Sequence, residues 1–308
     1  MDIHLVDFYA RLVVIAAVVL LGFLLGRLKW ISERTNKDLV NLLLMVFMPA
    51  ALFSAFSPDH SDDTVGLFFS GLLAGVVVLT SLALLSRIIF NKHFIKGEAR
   101  FESQFALIFN NATFLGYPIV ATTFGPAGLI PYSGFIIAFN LALFSYGVFL
   151  FERKLSWKLV RETLTNPNII AVLLGLIVYL THFRLPGPIS DSISTVAAVM
   201  TPLSLICIGY MLSHANFIAA IKKLHLTATA IIQLIVGPIV TYLILSLLRF
   251  PAEVITICTL IQALPTATSL ALFAKKYEGN HVQASELVSI STILSAVTLP
   301  FIIWLLLS

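Results

Sequence analysis

The chain has 308 residues, 59% of them hydrophobic and only 11% charged, with a net charge of +4. Ordinary soluble domains carry about 25% charged residues, so a water-soluble fold is excluded and the lipid bilayer is the expected surrounding. The small basic excess reads as a topology signal, explained below, and no nucleic-acid partner is expected.

Apolar runs long enough for a bilayer, roughly 17–25 residues each, fall at 6–27, 38–57, 64–90, 101–124, 127–151, 167–183, 191–212, 224–248, 251–274 and 283–307. Ten transmembrane helices in an all-α polytopic membrane protein are therefore expected. The first run is too long for a signal-peptide core and lacks basic flanks, so it is expected to be retained. It carries Gly22 and Gly26, and span 3 carries Gly71 and Gly75. Small residues four apart let helix backbones approach closely, and packing within the chain is expected. Span 2 carries Pro49.

Span 4 contains Phe109-Asn110-Asn111-Ala112-Thr113-Phe114-Leu115-Gly116-Tyr117-Pro118. Two amides, a Thr, a Gly and a Pro are poor helix material. The residue before a proline is pushed out of the α region, so Tyr117 is expected to be extended, with Pro118 opening a new half-helix. Span 5 holds Asn140. The stretch 152–166 is a basic amphipathic loop ending in Asn166-Pro167-Asn168, with Asn166 as cap and Pro167 at the first position of a short span 6. Span 7 carries Pro202 and Cys207; span 9 carries Cys258 and Gln262-Ala263-Leu264-Pro265-Thr266-Ala267-Thr268. Here a break at Leu264–Pro265 is expected, with hydroxyls in the turn that follows. The two cysteines have no partner pattern and read as free packing residues, with no metal site or cofactor implied.

Sixteen of the nineteen Lys and Arg residues fall in alternate connections, among them Arg27, Lys29, Arg87, Arg100, Lys223 and Lys275. Only Arg11, Arg184 and Arg249 fall on the other side. By the positive-inside rule the basic connections are cytoplasmic. A multi-pass protein of the plasma (inner) membrane with both termini outside, on the periplasmic face, follows.

Prolines at nearly equal offsets, Pro49 with Pro202 and Pro118 with Pro265, divide the chain into 1–151, a first five-helix repeat, the cytoplasmic loop 152–166, and 167–308, a second repeat. Five is odd, so the second half is inverted in the membrane. Broken spans at matching places in two halves point to the central site of a secondary transporter. If the breaks cross, two half-helix N-termini meet near the bilayer centre and offer N–H groups to a carboxylate, while two C-terminal ends offer carbonyls to a cation.

No Asp or Glu falls at the centre of a span: Glu102, Glu253 and Glu286 lie near span ends and Asp38 opens span 2. A cation/proton exchanger needs carboxylates at depth, so an anionic substrate is favoured. Lys275 lies ten residues past Pro265, about 15 Å along a helix, and is placed to meet anions at the cytoplasmic mouth or to mark topology. No His-Glu-x-x-His, Gly-x-Gly-Asp or Asp-rich diphosphate motif occurs, and the seven His residues are scattered; an enzyme is not expected.

At Asn111, Leu115-Gly116-Tyr117-Pro118, Gln262-Ala263-Leu264-Pro265, Phe273-Ala274-Lys275-Lys276-Tyr277 and Leu294-Ser295-Ala296-Val297-Thr298-Leu299-Pro300 the chain resembles the auxin efflux carrier family, in a bacterial-type form with short loops. The resemblance implies a five-plus-five inverted repeat with crossed broken helices 4 and 9, like the sodium/bile-acid symporters. It also implies a homodimer, with scaffold helices 1, 2, 6 and 7 and a mobile transport domain of helices 3–5 and 8–10. Family substrates are organic anions: auxin in plants, and malate, malonate or related carboxylates in bacterial members. The long central loop of the plant proteins is missing, and Thr266-Ala267-Thr268 departs from the family's second crossover.

The expected function is a secondary transporter of small organic anions, a mono- or dicarboxylate or an auxin-like weak acid, working by elevator-type alternating access. Asn110, Asn111 and Thr113 are expected at the substrate, Gly116, Pro118 and Pro265 shaping the breaks, and Gln262, Thr266 and Thr268 donating from the other side. Asn140 is a further candidate. The alternatives are a cation-coupled carrier of bile-acid-type amphiphiles and a membrane sensor that binds the ligand without moving it. A sensor is expected to carry a signalling tail, whereas span 10 runs to about Ser308.

Overall fold

The structure is a computed structural model and describes residues 5–56, 64–91, 99–152, 161, 165–214, 223–277 and 279–307. Most of the basic loop 152–166 lies outside the described residues. Among those described, the regular structure is helical, apart from one isolated β-bridge. Lipid offers no hydrogen-bond partners, so an apolar run must satisfy its backbone internally, and the helix does so.

In chain order the helices are α1 (Leu5–Arg27), α2 (Glu33–Leu42), α3 (Met48–Ser54), α4 (Thr64–Ile89), α5 (Ala99–Ile108), α6 (Tyr117–Ala142) and α7 (Val148–Glu152). Then follow α8 (Pro167–Leu180), α9 (Gly187–Ala198), α10 (Met200–Ser213), α11 (Leu224–Leu247), α12 (Ala252–Gln262), α13 (Ser269–Lys276) and α14 (His281–Leu307). Widened π-helical turns at Leu43–Phe47, Ala112–Gly116 and Leu143–Gly147 join α2 to α3, open α6 and join α6 to α7.

Six described stretches are long and apolar enough to cross a bilayer: Glu33–Ser54, Thr64–Ile89, Ala112–Glu152, Gly187–Ser213, Leu224–Leu247 and His281–Leu306. Shorter apolar helices are Val13–Arg27, Pro167–Leu180 and Ala252–Gln262. The 41 residues of Ala112–Glu152 extend about 60 Å at 1.5 Å per residue, twice a hydrocarbon core of about 30 Å. Gly125, with φ of 68°, interrupts the helix there, between the runs read from sequence as spans 4 and 5.

Local signals act as written. The Asn166 side chain accepts from the Asn168 N–H at 2.9 Å, with Pro167 at the first helical position of α8. Ser32 caps α2, accepting from the Thr35 N–H at 3.1 Å. Three helices end on a left-handed residue that is not glycine: Lys29, His182 and Arg249. Each end is closed by the paired bonds of a Schellman motif, such as Trp30 N–H to Leu25 O and Lys29 N–H to Gly26 O.

One expectation fails. Tyr117 is helical, and Pro118 lies within the first turn of α6 with the π turn immediately before it. A proline ring crowds the turn behind it and leaves a carbonyl without a donor; a widened turn gives the ring room without leaving the helix. The break sits upstream, at Phe109–Asn111.

The chain forms two compact units. One comprises Met1–Phe69, Phe114–Ser133 and Glu162–Ala215; the other comprises Ser70–Thr113, Gly134–Arg161 and Asn216–Ser308. Within the first, α1 packs directly on α10. A Cβ on Gly209 would land on the backbone of Val19, Gly22 and Phe23, and one on Gly22 would land on the backbone of Ile206. The α1 pair Gly22/Gly26 thus packs within the chain, as expected. The core of the second unit includes an aromatic cluster of Phe105, Phe109, Phe135, Phe139 and Phe273, with Phe105 and Phe109 centroids 4.7 Å apart. Cys207 and Cys258 are buried and free.

Candidate functional site

The β-bridge lies in the second unit and joins the two broken helices. Helix α5 ends at Ile108, and α12 ends at Gln262 with helix resuming at Ser269. Between these ends Asn110 faces Thr266 in antiparallel register. The Asn111 N–H donates to Pro265 O at 2.7 Å, and the Ala267 N–H donates to Phe109 O at 3.0 Å. Asn110 and Thr266 are therefore the non-hydrogen-bonded pair of the ladder, in which side chains lie closest. The bridge explains how extended backbone survives in an apolar interior: each break supplies the other's missing partners.

Side chains from three other places hold the bridge. The Asn110 Nδ2 donates to Gln262 Oε1 at 2.7 Å. Gln233 of α11 donates through Nε2 to Leu264 O at 2.7 Å, and Ser291 of α14 accepts from the Thr266 N–H at 3.1 Å. Asn110, Gln233, Gln262 and Thr266 are each at most 1% exposed. Yet Asn110 Oδ1, Gln233 Oε1, Gln262 Nε2 and Thr266 Oγ1 have no hydrogen-bond partner among the described residues. Leaving a buried polar atom unmatched costs about 1–3 kcal/mol. Rotating both amides of the Asn110–Gln262 pair keeps their bond and still leaves one donor and one acceptor over.

The main-chain charges complement these atoms. The C-terminal ends of α5 and α12 bring carbonyl dipoles to the bridge, and the N-terminal end of α13 and the turn starting at Ala112 bring N–H dipoles. None of the bridge residues is charged, and no group of three or more His, Cys, Asp or Glu able to hold a metal occurs among the described residues. Glu102, at the far end of α5, is fully buried and accepts from the Asn280 N–H at 3.0 Å, which ties α5 to the start of α14.

Of the residues singled out from sequence, Asn110, Asn111, Gln262, Pro265 and Thr266 are brought together at the bridge. Thr268 stands just before α13 as its capping position, and Thr113 lies in the π turn. Gly116 and Pro118 fall in the first compact unit, where they form the end of that turn and the start of α6. Asn140 donates to Ile136 O of its own helix at 2.9 Å. The reading of the sequence missed Gln233 and Ser291. Gln233 carried a usable signal, since an amide alone in an apolar span is costly unless it has a partner. Ser291 is one of several serines in its span and carried none.

A family model for "Membrane transport protein" matches residues 7–162 and 152–303. An "Uncharacterized transporter" of Methanothermobacter thermautotrophicus is 25% identical over 292 residues, 93% of this chain and 94% of that protein. A "Probable auxin efflux carrier component 5c" of Oryza sativa subsp. japonica is 29% identical over 148 residues, 46% of this chain and 39% of that protein.

Proposed function

The chain belongs to the auxin efflux carrier family of membrane transport proteins, and from that premise we propose that it moves a small organic anion bound at the bridge. The observation that carries this is the set of buried polar atoms, without a partner among the described residues, where two broken helices pair. Gln262 Nε2 and the Thr266 hydroxyl donate to a carboxylate, and the N–H ends of α13 and the Ala112 turn add positive potential. A mono- or dicarboxylate of malate or malonate size, or an auxin-like weak acid, is the substrate class.

The rest of the reading is a ten-span, inverted five-plus-five repeat working as an elevator. Its support is the antiparallel sense of the bridge, which inversion of one half requires, and the gathering of the bridge and its buttresses into one compact unit. A second reading has its own observation: Asn110 Oδ1 and Gln233 Oε1 are acceptors, and oxygens beside two helix C-terminal ends suit a coupling cation such as Na⁺.

The test is a thermal-stability screen of purified protein against malate, malonate, citrate, pyruvate, lactate and indole-3-acetate, with and without Na⁺, followed by flux in proteoliposomes. A ligand stabilises the state it binds in proportion to ln(1 + [L]/Kd). One carboxylate that both stabilises and is transported supports the proposal. Stabilisation by Na⁺ or a sterol-like amphiphile, with none of the anions acting, replaces it with the cation-coupled reading. Binding without flux points to a sensor.

A further inference from the structure

A second feature of the same compact unit uses none of the polar side chains of the bridge. Helix α4 meets α6 closely at Gly75, where a Cβ would lie 2.7 Å from the Ala138 Cβ. Beyond that contact the two helices flank a groove of about 390 Å³, walled by Leu79, Ala83, Leu84 and Ala142 and floored by Phe109. Its α4 wall runs from Val76 to Arg87, about 16 Å at 1.5 Å per residue. One leaflet of a bilayer offers about 15 Å of hydrocarbon. The groove is thus one leaflet long, mostly apolar with Thr80 and Ser145 in its lining, and cationic at one end.

That end is built. Arg87 donates through Nε to the Tyr146 hydroxyl at 3.0 Å, with its guanidinium 5.3 Å from the ring centroid. Tyr146 belongs to the π turn Leu143–Gly147. The other two π turns lie just before Pro49 and Pro118, whereas no proline occurs in 143–152. π turns are rare and are frequently found at functional sites; here one carries the residue that holds the arginine. Arg87 remains exposed, and its planar fork suits a phosphate held through two parallel bonds. Arg87 also belongs to the basic connections that the positive-inside rule assigns to the cytoplasm, where leaflets are rich in anionic lipid.

We propose that this groove seats an anionic phospholipid of the cytoplasmic leaflet, with an acyl chain along α4 and its phosphate on Arg87. A small carboxylate has no use for 16 Å of apolar wall, whereas a lipid matches the length, the polarity and the sign of charge at the mouth. The floor connects the lipid to the bridge: Phe109, under the acyl chain, is the residue whose carbonyl accepts from Ala267.

The experiment is native mass spectrometry of delipidated full-length protein, titrated with phosphatidylglycerol or phosphatidylcholine of identical acyl chains, with glycerol-3-phosphate as the chain-free probe. The wild type is expected to prefer phosphatidylglycerol about fivefold, the effect of one basic residue near an anionic surface. Arg87→Gln removes the preference and keeps binding at the phosphatidylcholine level; Arg87→Lys restores part of it. Ala83→Phe, which fills the groove, loses both lipids. The proposal is overturned if the wild type shows no preference, if Arg87→Gln retains it, or if glycerol-3-phosphate binds as tightly as the lipid. Arg87 is exposed, so its variants fold and decide the matter even where Ala83→Phe does not.

Discussion

The bond between Asn110 and Gln262 separates a structural role from a ligand-binding one. Replacing Asn110 alone with Leu leaves the Gln262 amide buried without its partner, and Gln262→Met alone does the same to Asn110. Each single change is expected to cost about 1–3 kcal/mol. Replacing both with apolar groups of similar shape is nearly neutral, so the double variant is expected to melt closer to the wild type than either single. Ligand response behaves differently, because the double variant also lacks Asn110 Oδ1 and Gln262 Nε2. At a ligand concentration of 100 Kd the wild type gains about 2.7 kcal/mol. Loss of one hydrogen bond to a charged group, worth about 1.5–3 kcal/mol, weakens binding roughly 10- to 150-fold. At about 100-fold the gain falls to about 0.4 kcal/mol at the same concentration. The assay is thermal unfolding in detergent with and without the ligand from the screen, on all four proteins. A double variant with wild-type ligand stabilisation and flux refutes the assignment of these atoms to substrate.

Asn111→Ala keeps the main-chain bond to Pro265, so surface expression is expected to persist while uptake is lost; wild-type uptake removes the Asn111 side chain from the site. Gly209→Leu drives a side chain into the α1 backbone and is expected to cost at least the roughly 1–3 kcal/mol typical of overpacking, read as a lowered melting temperature. Gln233→Leu leaves Leu264 O unpaired and is expected to lower both stability, by about 1–3 kcal/mol, and transport. Membrane-impermeant thiol labelling checks the orientation, with little background because Cys207 and Cys258 are buried. Arg249→Cys is expected to react in intact cells and Lys275→Cys only after permeabilisation; the reverse pattern inverts the topology.

Composition and hydropathy alone determined that this is a helical membrane protein, because an apolar run in lipid has few ways to satisfy its backbone. Short-range signals were equally legible. The Asn166-Pro167 start of α8 and the break around Pro265 depend on residues a few positions apart, and both stand where the sequence placed them. Close packing by Gly22 was readable because a missing side chain has one main use on a helix surface. The break in the first half was not readable in its place. Pro118 suggested Tyr117, but the extended residues are Phe109–Asn111, because their hydrogen bonds come from a strand more than 150 residues away. Local propensity cannot report such a partner. The same holds for Gln233 and Ser291, whose importance lies in the backbone they meet across the unit, and for Tyr146, which sits in a π turn and accepts from Arg87, 59 residues away. Sequence determined that the chain is a helical, multi-pass membrane protein and roughly where its helices weaken. Only tertiary structure decided which weak points pair, because a buried polar group is placed by the partner that satisfies it.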